Sequence, residues 1–115
     1  MDSFEEWLEK LQDDARLVVV EGRKDKEALE RLGVQRVVTV AQKPLYRVVE
    51  SMMNEKEVII LTDFDAEGKR WYGRLFRSLQ RVGVKVDNSY RLFLMRETRL
   101  SHVEGLARYA ARRTL

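Results

Sequence analysis

Three short, mostly β-branched runs, Leu17-Val18-Val19-Val20, Val37-Val38-Thr39-Val40 and Val58-Ile59-Ile60-Leu61, constrain this chain more than any other feature of its sequence. Runs of this kind read as strands covered on both faces, not as the alternating strands of a half-solvated sheet. Helical patterns lie between them. Ala28, Leu29 and Leu32 follow Gly22, with Asp25 expected to cap that helix and Gly33 to end it. Leu45, Val48, Val49, Met52 and Met53 follow Pro44, which suits a first helical turn. The longest helix is predicted from Ala66 to about Arg81, with Trp71, Leu75 and Leu79 on one stripe beside Tyr72 and Phe76, and Gly83 as its stop. Strands alternating with helices imply βαβ units with right-handed crossovers. The expected fold is α/β: a three-layer, Rossmann-like domain with an about four-stranded, mainly parallel sheet and helices on both faces.

The two ends extend this pattern. Phe4, Trp7, Leu8 and Leu11 recur at helical spacing and Ser3 with Glu6 fits a capping box, so residues 1–15 read as an amphipathic helix packed on a single domain of residues 16–115. That helix carries net −5 and could cover a sheet edge or make a homodimer contact. Val84 to Val86 and Arg91 to Met95 are weaker strand candidates. Ser101 and Glu104 fit a second capping box, opening a final helix with Val103, Leu106 and Ala110.

Composition narrows the chemistry. The chain has 115 residues, enough for one domain, with no Cys and one His. Disulfides, thiolate zinc sites and multi-histidine metal sites are excluded, so metal chemistry must use carboxylates, which points to Mg2+, Mn2+ or Ca2+. No apolar run approaches the roughly 20 residues that span a bilayer, and the acidic start is unlike a secretory signal. A cytoplasmic protein without a membrane partner is expected. The net charge of +3 is a cancellation. Residues 1–68 hold 10 basic and 16 acidic residues, net −6, whereas residues 69–115 hold 12 basic and 3 acidic, net +9. Such asymmetry points to a polyanionic partner.

In parallel α/β sheets, ligands bind at the carboxyl ends of the strands. The first strand ends in Glu21-Gly22-Arg23-Lys24-Asp25 and the third in Thr62-Asp63-Phe64-Asp65-Ala66-Glu67-Gly68. Glu21, Asp63 and Asp65 are thus expected at one sheet edge, within reach of one ion. Three anions so close repel unless a cation lies among them or one is protonated. Asp-x-Asp beyond a strand suits Mg2+, which takes one or two carboxylates plus waters and phosphate oxygens. Gly22 and Gly68 would let a phosphate approach the backbone, and the helix from Ala66 turns its positive end toward the site.

These two segments resemble the motifs of the Toprim domain, shared by type IA and type II topoisomerases, bacterial replicative primases, overcoming-lysogenization-defect nucleases and ribosomal-RNA maturase ribonucleases. An apolar strand followed by Glu-Gly-x-x-Asp stands at Val18 to Asp25, and one followed by Asp-x-Asp-x-x-Gly at Ile59 to Gly68. The resemblance covers roughly residues 16 to 96. It implies Mg2+-dependent (or Mn2+-dependent) breakage or joining of phosphodiester bonds, with Asp63 and Asp65 holding the metal and Glu21 as general acid/base or further ligand. Topoisomerases commonly continue the second motif with Gly-Glu, whereas Lys69 follows Gly68 here. The chain also lacks a domain to donate a cleaving tyrosine or to bind zinc. The nearest likeness is a small, free-standing Toprim protein similar to the catalytic domain of the ribosomal-RNA maturases, without their separate RNA-binding portion.

The basic half would serve such a site. Arg70, Arg74, Arg77 and Arg81 share one face of the longest helix, opposite Trp71, Leu75 and Leu79, and with Lys69 could track phosphates; an ordinary solvated face is the alternative. Lys24 and Lys26 sit beside Glu21, and Lys24 is a candidate phosphate contact. Glu67 and Asp25 are candidate supporting acids. His102 reads first as a surface residue and second as a general acid or base. Glu104 reads as the capping partner of Ser101, and Trp7 and Trp71 as core. Two functions compete: a small nuclease acting on RNA or DNA through Glu21, Asp63 and Asp65, and a non-catalytic metal-binding nucleic-acid adaptor acting in a larger complex with a protein partner. An aspartyl-phosphate protein is disfavoured, because Asp-x-Asp follows the third strand rather than the first.

Overall fold

Four parallel strands form the sheet: β1 (Leu17–Val20), β2 (Val37–Thr39), β3 (Glu57–Ile60) and β4 (Lys85–Asp87), in the order β2-β1-β3-β4. The computed structural model describes residues 1–113; Thr114 and Leu115, the last two residues of the domain expected over 16–115, lie outside the described residues. β1 pairs directly with β3, Val18 opposite Ile59 and Val19 opposite Ile60, so the two strands that precede the acidic segments are the central pair.

The continuous apolar runs are explained by the two layers they separate. Val18, Val20, Ile59 and Leu61 face one layer, with α1 (Phe4–Asp13), α2 (Arg23–Arg31), α5 (Ser89–Glu97) and α6 (Leu106–Arg113). Val19, Val58 and Ile60 face the other, with α3 (Leu45–Met52) and α4 (Ala66–Arg81). The central strands β1 and β3 therefore need apolar residues at successive positions. The first helix lies within a helical layer: Phe4, Trp7 and Leu11 are buried, and the Trp7 indole N–H donates to the Tyr90 carbonyl at 3.0 Å. The Ser3 hydroxyl accepts from the Glu6 N–H, as the capping pattern predicts. No helix among the described residues is long and apolar enough to cross a membrane.

Three local expectations are corrected. Arg91 to Met95 is not a strand but the body of α5. A short apolar run does not reveal its own period; here the Asp87 carboxylate accepts from the Ser89 N–H (2.7 Å) and hydroxyl (2.6 Å), turning the chain, and Tyr90, Phe93 and Leu94 become buried at helical spacing. The Ser101–Glu104 capping box does not form: a 3-10 turn over Val103–Gly105, preceded by His102 with no side-chain cap, leads into α6. Asp25 does not cap α2 either. Gly22 occupies the cap position, and Asp25, three residues on, accepts the Gly22 N–H at 3.0 Å.

Trp7→Ala should remove about 3–5 kcal/mol of stability, the usual cost of emptying a fully buried aromatic site. Urea unfolding followed by circular dichroism measures it, and a loss below about 1 kcal/mol would show that α1 is dispensable to the layer.

Candidate metal centre

The acids stand where the central strands end. Glu21 follows β1 directly and Asp63 lies three residues beyond β3; the Asp63 N–H donates to Glu21 Oε2 at 3.1 Å. Glu21, Asp25 and Asp63 each offer a carboxylate oxygen within 4.8 Å of the others. A second group, with the same spacing limit, joins Asp63 and Asp65 to His102. The expected trio of Glu21, Asp63 and Asp65 is thus divided: Asp63 belongs to both groups, and Glu21 and Asp65 fall in different ones. A cleft of about 820 Å³ opens over the first group, lined also by Lys24, Glu67, Trp71, His102 and Glu104.

Backbone contacts aim these side chains. Asp65 caps α4, its Oδ1 accepting from the Gly68 N–H at 2.8 Å. Gly68 packs against the Asp63 backbone so closely that a Cβ would fall 1.9 Å from the Asp63 carbonyl oxygen. Its missing side chain therefore serves the approach of α4 to the strand end, whereas Gly22 has open space where a Cβ would project. The buried Thr62 hydroxyl donates to the Gly68 carbonyl at 2.8 Å, closing the same turn. Asp63 Oδ1 accepts from the Val103 N–H at 2.7 Å.

Arg91, placed on no surface by sequence reasoning, underlies this turn. It is buried, and its guanidinium donates to the carbonyls of Thr62 (3.0 Å) and Asp63 (2.8 Å). It also lies over the rings of Phe64 and Tyr72, at 5.6 and 5.2 Å from their centroids. The side chain holds the backbone of the Asp-x-Asp segment and makes no bond to its carboxylates. Only the misread period of α5 hid it; an arginine inside an apolar run was the available signal.

Electrostatics separates the acids. Burial, reinforced by the neighbouring Asp63, pushes the Glu21 carboxyl up to about 8. Burial and Asp63 also raise Asp25. Asp65 is held below the ordinary range by the Gly68 N–H and by His102. Among the described residues, no Lys or Arg forms an ion pair with Glu21, Asp25 or Asp63, and the nearest buried guanidinium is committed to carbonyls. An all-oxygen set of clustered carboxylates without a cationic partner fits a hard divalent cation.

The remaining candidates flank this centre. Lys69, Arg70, Arg74 and Arg77 are exposed on α4, with the Arg74 guanidinium 5.2 Å from the Trp71 ring centroid. Trp71, expected in the core, is only partly buried and forms part of the cleft wall. Glu67 is exposed at the cleft, and Glu104, read as a capping residue, lines it too.

Two outcomes follow. In metal-free buffer, Glu21→Gln should gain stability relative to the parent as pH rises from about 4.5 to about 8. A carboxyl with a raised folded-state pKa binds more protons folded than unfolded across that window, so the parent loses stability there; parallel stability curves for the two proteins would contradict this. Gly68→Ala should cost at least about 1–3 kcal/mol through overpacking, measured by denaturant unfolding.

The Toprim domain family matches residues 15–89. A UPF0292 protein of Methanocaldococcus jannaschii is 31% identical over 120 residues, covering 96% of this chain and 94% of the relative. Another, from Thermococcus onnurineus, is 35% identical over 94 residues, covering 81% and 71%. A solved structure of a putative protein from Aquifex aeolicus superposes with a TM-score of 0.85 at 28% identity, covering 90% of this chain and 98% of that one. The chain belongs to the Toprim domain family.

Proposed function

We propose that this protein is a small Toprim nuclease that hydrolyses phosphodiester bonds in RNA or DNA with Mg2+ or Mn2+. The observation that carries the reading is the convergence of Glu21, Asp25, Asp63 and Asp65 at the carboxyl ends of the two central strands, at the N-terminus of α4 and beside a cleft of about 820 Å³. The family match adds metal-dependent nucleic-acid chemistry as the general class.

Asp63 and Asp65 would hold the cation, with Glu21 meeting it through the Asp63 side that the two groups share. A cation bound there would supply Lewis-acid chemistry, to polarise a phosphoryl oxygen, activate a water, or both. Glu21 is suited to proton transfer: burial and the neighbouring Asp63 raise its proton affinity above that of an ordinary carboxylate. Its Oε2 accepts from the Asp63 N–H, which orients the carboxyl at the strand end. The exposed Lys24 at the cleft, and Lys69, Arg70, Arg74 and Arg77 along α4, supply the positive surface along which a polyanion would lie. Gly22, with open space in place of a Cβ, leaves room for a phosphate beside Glu21. The likeness to the catalytic domain of ribosomal-RNA maturases makes structured RNA the first substrate to try.

The test is incubation of pure protein with structured RNA, single-stranded DNA and duplex DNA in Mg2+, Mn2+ or EDTA, beside an Asp63→Ala, Asp65→Ala double variant. Cleavage should require the cation and fall by more than about 100-fold in the variant. Absence of cleavage, with binding that survives in the variant and weakens steeply with salt, would replace the nuclease with the adaptor reading.

A further inference from the structure

Resting on the metal site proposed above, we infer that His102 supplies a nitrogen ligand to its Asp63–Asp65 edge and biases that edge toward Mn2+ and other transition metals over Mg2+. His102 Nε2 lies 3.3 Å from Asp65 Oδ2, and the three residues present ligand atoms within 4.8 Å of one another. Proximity alone would be a weak warrant for a half-exposed histidine. What distinguishes this one is the way its backbone is delivered.

The residues on either side of His102 are tied to the metal-binding segment. The Ser101 carbonyl accepts from the Phe64 N–H at 3.0 Å, and the Val103 N–H donates to Asp63 Oδ1 at 2.7 Å. The His102 carbonyl accepts from the Gly105 N–H at 3.1 Å, and the buried Val103 and Leu106 anchor the turn beyond it. The histidine is therefore held across from Asp65 by the bonds its chain neighbours make to the Asp63 carboxylate and the Phe64 N–H, 40 and 37 residues away in sequence.

The chemical consequence is a mixed donor set. Carboxylates suit Mg2+, Ca2+ and Mn2+ alike, whereas an imidazole nitrogen adds affinity for first-row transition metals, least for Mn2+ and more for the later ones, and little for Mg2+. Ligation through Nε2 requires the neutral ring to carry its single proton on Nδ1.

His102 is the chain's only histidine, so selective 15N-histidine labelling gives a spectrum of one ring. Zn2+ should shift the Nε2 resonance and fix the Nδ1–H tautomer, whereas Mg2+ at saturating concentration should leave both nitrogens nearly unmoved. In calorimetry, His102→Gln should weaken Mn2+ binding by about tenfold and change Mg2+ binding less than about twofold, so the Mn2+/Mg2+ preference collapses. Metal binding with unmoved ring resonances and an unchanged Mn2+/Mg2+ ratio overturns the inference and leaves the carboxylate site standing. No binding of any of these ions by the parent protein overturns both.

Discussion

The direct pairing of β1 with β3 is the constraint from which the acidic end of this protein follows. Adjacent parallel strands are roughly 5 Å apart, so whatever succeeds each strand emerges side by side. Glu21 and the Asp63 backbone meet in this way, across 42 residues of sequence, without any loop having to reach. The β2-β1-β3-β4 order places that meeting point at the middle of the sheet, where layers on both faces limit solvent access. Burial then raises the proton affinity of Glu21 and Asp25, while Asp65, at the end of α4, remains easily ionised. One strand pairing thus produces both the convergence of the acids and their division into two electrostatic classes.

The second layer of control is backbone fixation. Arg91 secures the carbonyls of Thr62 and Asp63, Thr62 and Asp65 tie the turn to Gly68, and Val103 restrains the Asp63 carboxylate. A buried cation is costly unless hydrogen-bonded; here the carbonyls and two aromatic rings receive it. Because the guanidinium is spent on main chain, it forms no ion pair with the carboxylates beside it.

Much of this was legible in the sequence, for a physical reason. Strands buried on both faces announce themselves as unbroken apolar runs, and residues that follow such a run at once must lie at the sheet edge, so Glu21 and Asp63 could be placed from the chain alone. Asp65 could be placed at that edge too, but not its separation from Glu21. Burial of Asp25 depends on which face of α2 meets the sheet, Arg91 depends on a helix whose apolar run mimics a strand, and His102 depends on hydrogen bonds to residues far away in the chain. Asp25 and His102 carry no local signature of these placements, and the one signal at Arg91 was a charge within an apolar run. The basic face of α4 was visible as a pattern, and its exposure agrees with that pattern.

The contact between Gly68 and the Asp63 carbonyl has a bearing on protein engineering. Copying the acids onto another α/β scaffold would transplant their chemistry without their geometry, since their positions are set by a helix that touches the strand end through a bare Cα. The portable unit is the whole turn from Ile60 to Gly68 with an arginine beneath it. A host able to accept that unit must let its own helix come equally close to its sheet.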